Sequence, residues 1–181
     1  GSLIVNGSLA SGSAVTVNGG TLRGSGTVGG AVTVNSGGTL APGTSIGTLA
    51  LGSLTLNSGA TAAMEIGNGP TGDKASASGA VVYGGTLKLI WTGTSMLAGP
   101  VDLFDGSSFS GSFTSLQVSN WPAAFRVNTG NLAVDGSISI TANSAPAAQN
   151  ITAGVARGGS VTLQLIGGKH GATDADGDTI S

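Results

Sequence analysis

Apolar and polar residues alternate in several short segments of the first third of the chain. Val15–Val17, Val32–Val34 and Leu54–Leu56 each hold a threonine between two apolar residues. A period of two residues places the apolar side chains of a strand on one face and the threonines on the other. Glycine and β-branched residues are frequent around these segments, and no apolar stripe with helical spacing accompanies them. The pattern therefore predicts short β-strands with one buried face.

An asparagine follows each of these strands, and another follows the similar segment Leu3–Val5. The four asparagines are Asn6, Asn18, Asn35 and Asn57. A repeat of about 20 residues, built from short strands and glycine turns, is typical of a β-solenoid, in which each rung buries the apolar face of its neighbour. We therefore expect the asparagines to stack in register as an amide ladder, in turns that suit this residue. A two-sheet sandwich of short strands is the alternative fold.

Threonine recurs at two outward positions of the same repeat. The solenoid predicts two columns, which consist of Thr16, Thr33 and Thr55 and of Thr21, Thr39 and Thr61. Regular threonine arrays on flat solenoids bind ice, but the single threonine per strand and the uneven repeat favour a simpler interpretation. Threonine is a good outward-facing strand residue.

The composition of the chain excludes several classes of protein. The chain has 181 residues, of which 34 are glycine, none is cysteine, 39% are hydrophobic and 8% are charged. This apolar share and the net charge of −2 predict a buried core rather than disorder, and the glycines lack the strict period of collagen. The near balance of charge argues against nucleic acid and anionic membrane as partners. No apolar run approaches the about 20 residues of a transmembrane helix, and disulfide or thiolate sites are excluded.

A longer motif joins the strands between positions 24 and 49. It consists of Gly-Ser-Gly-Thr-Val at 24–28, Val-Asn-Ser-Gly-Gly-Thr-Leu-Ala-Pro-Gly at 34–43 and Ser-Ile-Gly-Thr-Leu at 45–49. This segment resembles the autotransporter-associated β-strand repeat of bacterial surface and secreted passenger proteins. Weaker similarity continues through Asp73, Gly84–Leu89, Leu103–Asp105 and Trp121 to about residue 140. The resemblance implies a right-handed parallel β-helix and supplies no catalytic motif.

The C-terminal part of the chain has a different character. Asn143–Asn150 is rich in small residues and proline and is predicted to be a linker between a solenoid at 1–142 and a segment at 151–181. The order of motifs in that segment resembles the start of a bacterial cadherin-like or immunoglobulin-like repeat. Such antiparallel sandwiches need about 90–100 residues. We therefore expect an all-β chain in which a short, incomplete β-sandwich-like segment follows the solenoid. The segment is truncated, is completed by a neighbouring chain or folds back on the solenoid.

Three carboxylates stand close together near the end of the chain. Asp174, Asp176 and Asp178 surround Gly177, and acidic loops supply the hard oxygen ligands that Ca²⁺ requires. The order differs from that of an EF-hand loop, because no glutamate follows at its last position. The sequence therefore offers two interpretations, a Ca²⁺ site and a solvated acidic turn. No other cofactor is indicated.

Aromatic residues concentrate in the middle of the chain. Tyr83, Trp91 and Trp121 are candidates for a carbohydrate-binding platform, since flat rings stack on the apolar faces of sugars. The preferred interpretation is a wider core or a cap over the last rung, because the ends of solenoids must be shielded. On that view Phe113 and Trp121 are expected to be buried.

Catalytic groups are sparse. The charged residues of the middle region are scattered and do not repeat at rung spacing, although they could converge on adjacent rungs: Glu65, Asp73, Lys74, Lys88, Asp102 and Asp105. The single histidine, His170, lies in the tail and is interpreted as a surface loop residue. No nucleophile elbow or phosphate-binding loop is present. We therefore expect no enzymatic activity.

These observations favour a structural or adhesive segment of a secreted or cell-surface bacterial repeat protein. It would serve as a stalk, an adhesin passenger or a filament element outside the cell. The edge at Ser2–Val5 is expected to favour homo-oligomers by head-to-tail or edge association. The alternatives are a carbohydrate-binding module that takes a surface glycan and, less favoured, a polysaccharide-active β-helix enzyme.

Overall fold

The computed structural model describes residues 1–144 and shows an all-β fold. Seventeen strands and no helix occur in this part of the chain. The strands are β1 Ser2–Ile4, β2 Ser8–Leu9, β3 Val15–Val17, β4 Gly20–Gly24, β5 Thr27–Val34, β6 Gly38–Pro42, β7 Thr48–Leu56, β8 Thr61–Ile66, β9 Lys74–Ala77, β10 Ala80–Tyr83, β11 Thr86–Trp91, β12 Gly99–Asp102, β13 Phe104–Asp105, β14 Ser108–Gly111, β15 Ser115–Ser119, β16 Phe125–Asn128 and β17 Ser137–Ala142.

Two parallel sheets form a β-solenoid, as the sequence predicted. Sheet A has six strands in the order β1-β4-β6-β8-β11-β15. Sheet B has eight strands, with β5, β7 and β10 along its centre and β2, β3, β9, β13 and β14 as shorter members. The chain alternates between the two sheets, so each strand of sheet A pairs with the strand of the next rung. This stacking excludes the two-sheet sandwich as the fold of the described residues.

A third sheet differs in direction from the other two. Strands β12, β17 and β16 form it, and β12 pairs antiparallel with β17. The chain divides into two units, residues 1–141 and residues 142–181. Of the second unit only positions 142–144 are described. The predicted linker at 143–150, beyond Ser144, and the sandwich-like segment at 151–181 lie outside the described residues.

The core consists of columns of apolar residues from successive rungs. In sheet A, Leu22 lies beside Leu40, Leu40 beside Ala62 and Ala62 beside Leu87, and all four are fully buried. Sheet B contributes a matching column that includes Val32. Burial of one such large side chain stabilises the fold by about 1.5–3 kcal/mol. The two-residue period of the sequence therefore determines the core directly.

The register confirms the threonine columns. Thr16, Thr33 and Thr55 pair in sheet B. In sheet A the second column is longer than predicted, and its members are Ser2, Thr21, Thr39, Thr61, Thr86 and Ser115.

The expected place of Leu3–Val5 in the repeat is wrong. Leu3 pairs with Leu22 in sheet A, whereas Val15 pairs with Val32 in sheet B. The segment Leu3–Val5 therefore occupies the other sheet from the segments that it resembles. Strands of both sheets have the same two-residue period, so a segment this short does not reveal the sheet to which it belongs.

Glycine is required where the chain passes close to the previous rung. Gly85 has a φ of +66°, and a Cβ atom there would lie 2.2 Å from the carbonyl oxygen of Ala60. Gly20 has the same conformation and would meet Gly1 in the same way. Both glycines precede a member of the threonine column in sheet A, so they allow the tight turn into that sheet.

Candidate functional site

Three of the four predicted asparagines form the amide ladder. Asn57 donates from Nδ2 to Oδ1 of Asn35 at 2.6 Å, and Asn35 donates in the same way to Asn18 at 2.7 Å. Each follows a strand of sheet B, so the three side chains stack at one corner of the solenoid. Asn6 is not part of the ladder, because it follows a strand of sheet A and its Oδ1 accepts a bond from the amide of Ser25 at 3.2 Å. The prediction is therefore confirmed for three residues and wrong for Asn6.

Asp73 is the most deeply buried acidic residue among those the structure describes. It is only 1% exposed. Its Oδ1 accepts a bond from the amide of Gly47 at 3.0 Å, and its Oδ2 accepts one from the amide of Glu65 at 2.8 Å. Burial raises the pKa of Asp73 to about 7, although both amides favour the charged form; the nearby Glu65 charge raises it further. Both carboxylate oxygens are thus engaged in joining two loops to strand β8, which is a structural arrangement.

Lys74 brings together two of the scattered acidic residues. Its Nζ lies 3.6 Å from Oδ2 of Asp102 and 3.4 Å from Oδ1 of Asp105. Lys88 does not belong to this group, because it lies on sheet A, where it pairs with Ala63 and Gln117. The two acids are about half exposed or more, and surface pairs of this kind contribute about 0–1 kcal/mol.

Four aromatic residues of the middle region form a cluster near the end of the solenoid: Tyr83, Phe104, Phe109 and Phe113. Tyr83 lies edge-on to Phe104 with ring centroids 5.2 Å apart, and it also contacts Phe109 and Phe113. Its hydroxyl donates to the carbonyl oxygen of Leu132 at 2.9 Å. Burial raises the pKa of Tyr83 above its ordinary value, and the charge of Asp135 adds to the effect. Tyr83 is therefore a core residue whose ring does not face solvent.

The two tryptophans differ in their surroundings. Trp91 is 9% exposed and belongs to the core. Trp121 is half-buried, and its Nε1 donates to the carbonyl oxygen of Phe125 at 3.1 Å. Phe113 is also half-buried, so Phe113 and Trp121 are less enclosed than expected. Among the three carbohydrate candidates, only Trp121 keeps part of its ring accessible.

A shallow apolar groove lies beside Trp121. It has a volume of about 250 Å³, and the residues around it are Leu116, Val118, Trp121, Phe125, Arg126 and Val127. Leu116 and Val118 come from β15, the last strand of sheet A. This groove was not predicted from the sequence, although the alternation of Leu116, Gln117 and Val118 continues the pattern of the earlier strands and could have indicated it.

The predicted Ca²⁺ ligands Asp174, Asp176 and Asp178 lie outside the described residues. Among residues 1–144, no group of three or more histidine or acidic residues is placed to hold a metal ion. In the same range, no helix has the length and apolar character needed to cross a membrane.

No family model and no curated protein matches this chain.

Proposed function

We propose that this chain is a stiff structural segment of a secreted or cell-surface bacterial repeat protein, in which it acts as a stalk or a filament element. The observation that carries the proposal is the unbroken six-stranded ladder of sheet A, with its buried column and its threonine column in the same register. The similarity of residues 24–49 to autotransporter-associated repeats supports the location outside the cell.

Stiffness follows from the direction of the hydrogen bonds. In a β-solenoid the bonds between strands run along the axis, so bending the rod strains the bonds of several rungs at once. The ladder of Asn18, Asn35 and Asn57 adds side-chain bonds in the same direction at one corner. Asp73 joins the loops of neighbouring rungs. The polar side chains of these residues are hydrogen-bonded within the protein, and this arrangement suits a mechanical role.

The partners under this proposal are further copies of the chain. A carbohydrate-binding module is the competing function, and it needs accessible aromatic rings. Because Tyr83 and Trp91 are buried, that function depends on Trp121. Glycan binding would require the part of the Trp121 ring that remains accessible.

Single-molecule stretching tests the mechanical role. The chain has no cysteine, so cysteines added at both ends provide unique attachment points. Neighbouring rungs are 17 residues apart at Asn18 and Asn35 and 29 residues apart at Thr86 and Ser115. Loss of one rung therefore releases about 60–100 Å of chain at about 3.4 Å per residue. We expect several force peaks with these spacings. A smooth extension without peaks would contradict the proposal.

A further inference from the structure

Strand β15 is the outer strand of sheet A at the place where the chain leaves this sheet. After β15 the chain adds no further strand to sheet A, because β16 and β17 belong to the third sheet instead. Leu116 and Val118 of β15 are 44% and 48% exposed, although they pair with fully buried leucines of β11. Within residues 1–144, this edge of sheet A therefore has no partner strand.

Half of the backbone groups of β15 point to this open edge. In a β-ladder the N–H and C=O groups of alternate residues point to opposite sides of the strand. The amide of Ser115 points to β11, since it donates to the carbonyl oxygen of Gly85 at 3.4 Å. Gln117 and Ser119 follow at intervals of two and point the same way. The N–H and C=O groups of Leu116 and Val118 therefore point away from β11, toward the open edge.

We propose that β15 pairs antiparallel with β15 of a second copy of the chain, across a two-fold axis at Gln117. The proposal rests on the structural function, which names further copies as partners, and it specifies the contact between them. In this register Leu116 lies opposite Val118 of the second copy, Ser115 lies opposite Ser119, and Gln117 lies opposite its own equivalent. Leu116 and Val118 then exchange backbone hydrogen bonds through the groups that point to the open edge.

The sequence of β15 is complementary to itself. Its residues are Ser-Leu-Gln-Val-Ser, an order that has the same chemical character from either end. A two-fold contact requires this property, because the same surface must fit its own copy. The pairing places the apolar side chains together on the core face, where each cross-strand pair contributes roughly 0.2–1 kcal/mol. On the outer face it places serine beside serine and joins two glutamines, whose amides can donate to and accept from each other.

Strand β15 also lacks the features that usually prevent such pairing. Natural edge strands carry lysine, other charges, proline or a bulge. β15 contains no charged residue and no proline, and its register with β11 is regular over all five residues. An antiparallel strand at the edge of an otherwise parallel sheet is common. Neither the composition nor the geometry of β15 therefore opposes the contact.

The apolar groove beside Trp121 adds to the contact. Leu116 and Val118 line it together with Trp121, Phe125 and Val127, so it lies on the core face of β15. The side chains of Leu116 and Val118 from the second copy would project to this same face. The groove has a volume of about 250 Å³ into which they can pack. Removal of its apolar surface from water stabilises the contact by about 25 cal/mol per Å².

The contact is closed and short. A two-fold interface uses the same surface on both molecules, so it produces a dimer and no larger species. A contact built on one pair of five-residue strands is smaller than the about 1,200 Å² that stable interfaces bury. We therefore expect a reversible dimer, in which sheet A of one copy continues into sheet A of the other.

Cysteine pairing tests the register in the full chain, which has no cysteine. Across the two-fold axis, Gln117→Cys places two cysteines in a pair with Cα atoms about 4.5 Å apart, within the range of disulfide geometry. We expect a disulfide-linked dimer under mild oxidation, identified by mass spectrometry. The matched control Ser115→Cys lies on the same face, but its equivalent in the second copy is about 13 Å away along the strand. Equal yields from the two variants, or no dimer from Gln117→Cys, would overturn the register.

Hydrogen exchange provides a second measurement on the unmodified chain. The amides of Leu116 and Val118 should become protected as the protein concentration rises, because the dimer bonds them. Protection that does not depend on concentration would assign the edge to a different partner strand and would count against the proposal.

Sedimentation velocity tests the association itself. Leu116→Lys should weaken dimer formation by the full chain at least tenfold. The control Ile46→Lys should not, because Ile46 is 38% exposed and follows β6, three strands away from β15 in sheet A. A wild-type chain that remains monomeric at millimolar concentration, or that forms a series of larger species, overturns the pairing. If a monomeric chain keeps the rung-sized force peaks, the structural function stands without this contact.

Discussion

The amide ladder has a direction, because Asn57 donates to Asn35 and Asn35 donates to Asn18. The two ends of the ladder therefore respond differently to the same change. Asn57→Asp removes a donor and places a carboxylate oxygen against Oδ1 of Asn35. Asn18→Asp keeps an acceptor and turns the bond from Asn35 into a charge-assisted one.

The magnitudes follow from the energies of single hydrogen bonds. Loss of one bond costs about 1 kcal/mol, and contact between two acceptors adds to that cost. We expect Asn57→Asp to lower the free energy of unfolding by about 1–2 kcal/mol at pH 7. Asn18→Asp should change it by less than about 0.5 kcal/mol, since an exposed charge gains little from one bond. Chemical denaturation followed by circular dichroism measures both values.

The pH dependence provides an internal control. The carboxyl introduced by Asn57→Asp has a raised pKa in the folded state, because the acceptor beside it disfavours the charged form. Its destabilising effect should therefore disappear near pH 3, where the protonated group donates to Asn35. Equal effects of the two substitutions at pH 7, or a larger effect of Asn18→Asp, would refute the assigned direction of the ladder.

Three further predictions concern single residues of the solenoid. Gly85→Ala should lower the free energy of unfolding, measured by chemical denaturation, by about 3 kcal/mol or more, because the new Cβ atom would meet backbone atoms. The control Gly69→Ala, which is also at positive φ but in open space, should lower it by only about 1–2 kcal/mol. Tyr83→Phe should cost about 1–2 kcal/mol, since a buried carbonyl loses its donor, and thermal unfolding would show no shift if that bond were unimportant. The pKa of Asp73 is raised from 3.8 to about 7 in the folded state. Its contribution to the free energy of unfolding is therefore complete below pH 4 and is lost as the pH rises through 7. Between these values the free energy of unfolding should fall by up to about 1.4 kcal/mol per pH unit. Denaturation from pH 4 to 8 measures this slope, which Asp73→Asn should remove.

The sequence predicted the fold because the controlling signals are local. The two-residue alternation places Val32 and Val34 on one face of the strand, independently of contacts with distant parts of the chain. An asparagine at the end of each strand of sheet B then lies at a fixed corner, so the contacts of Asn18 and Asn35 follow from the repeat. These features depend on short segments whose geometry is set within a few residues.

Other features depend on loop lengths, which the sequence pattern does not determine. Asp73 reaches the amides of Gly47 and Glu65 only because two loops return to the same corner. Lys74 meets Asp105 across 31 residues of chain for the same reason. The antiparallel pairing of β12 with β17 connects distant segments, and no periodic signal indicates it. These residues lie together in the structure, although they are far apart in the sequence and do not repeat with a fixed spacing.

The uneven length of the rungs has a consequence for engineering. The amide ladder repeats after 17 residues between Asn18 and Asn35, and the outer hydroxyl column repeats after 29 residues between Thr86 and Ser115, yet both pairs remain aligned. Connections of different length therefore fit the same scaffold. Gly69, at a corner where a side chain would meet no neighbouring atom, marks a position where a peptide epitope could be grafted. Loops of different length and sequence could be placed at such corners while the rod between them stays the same.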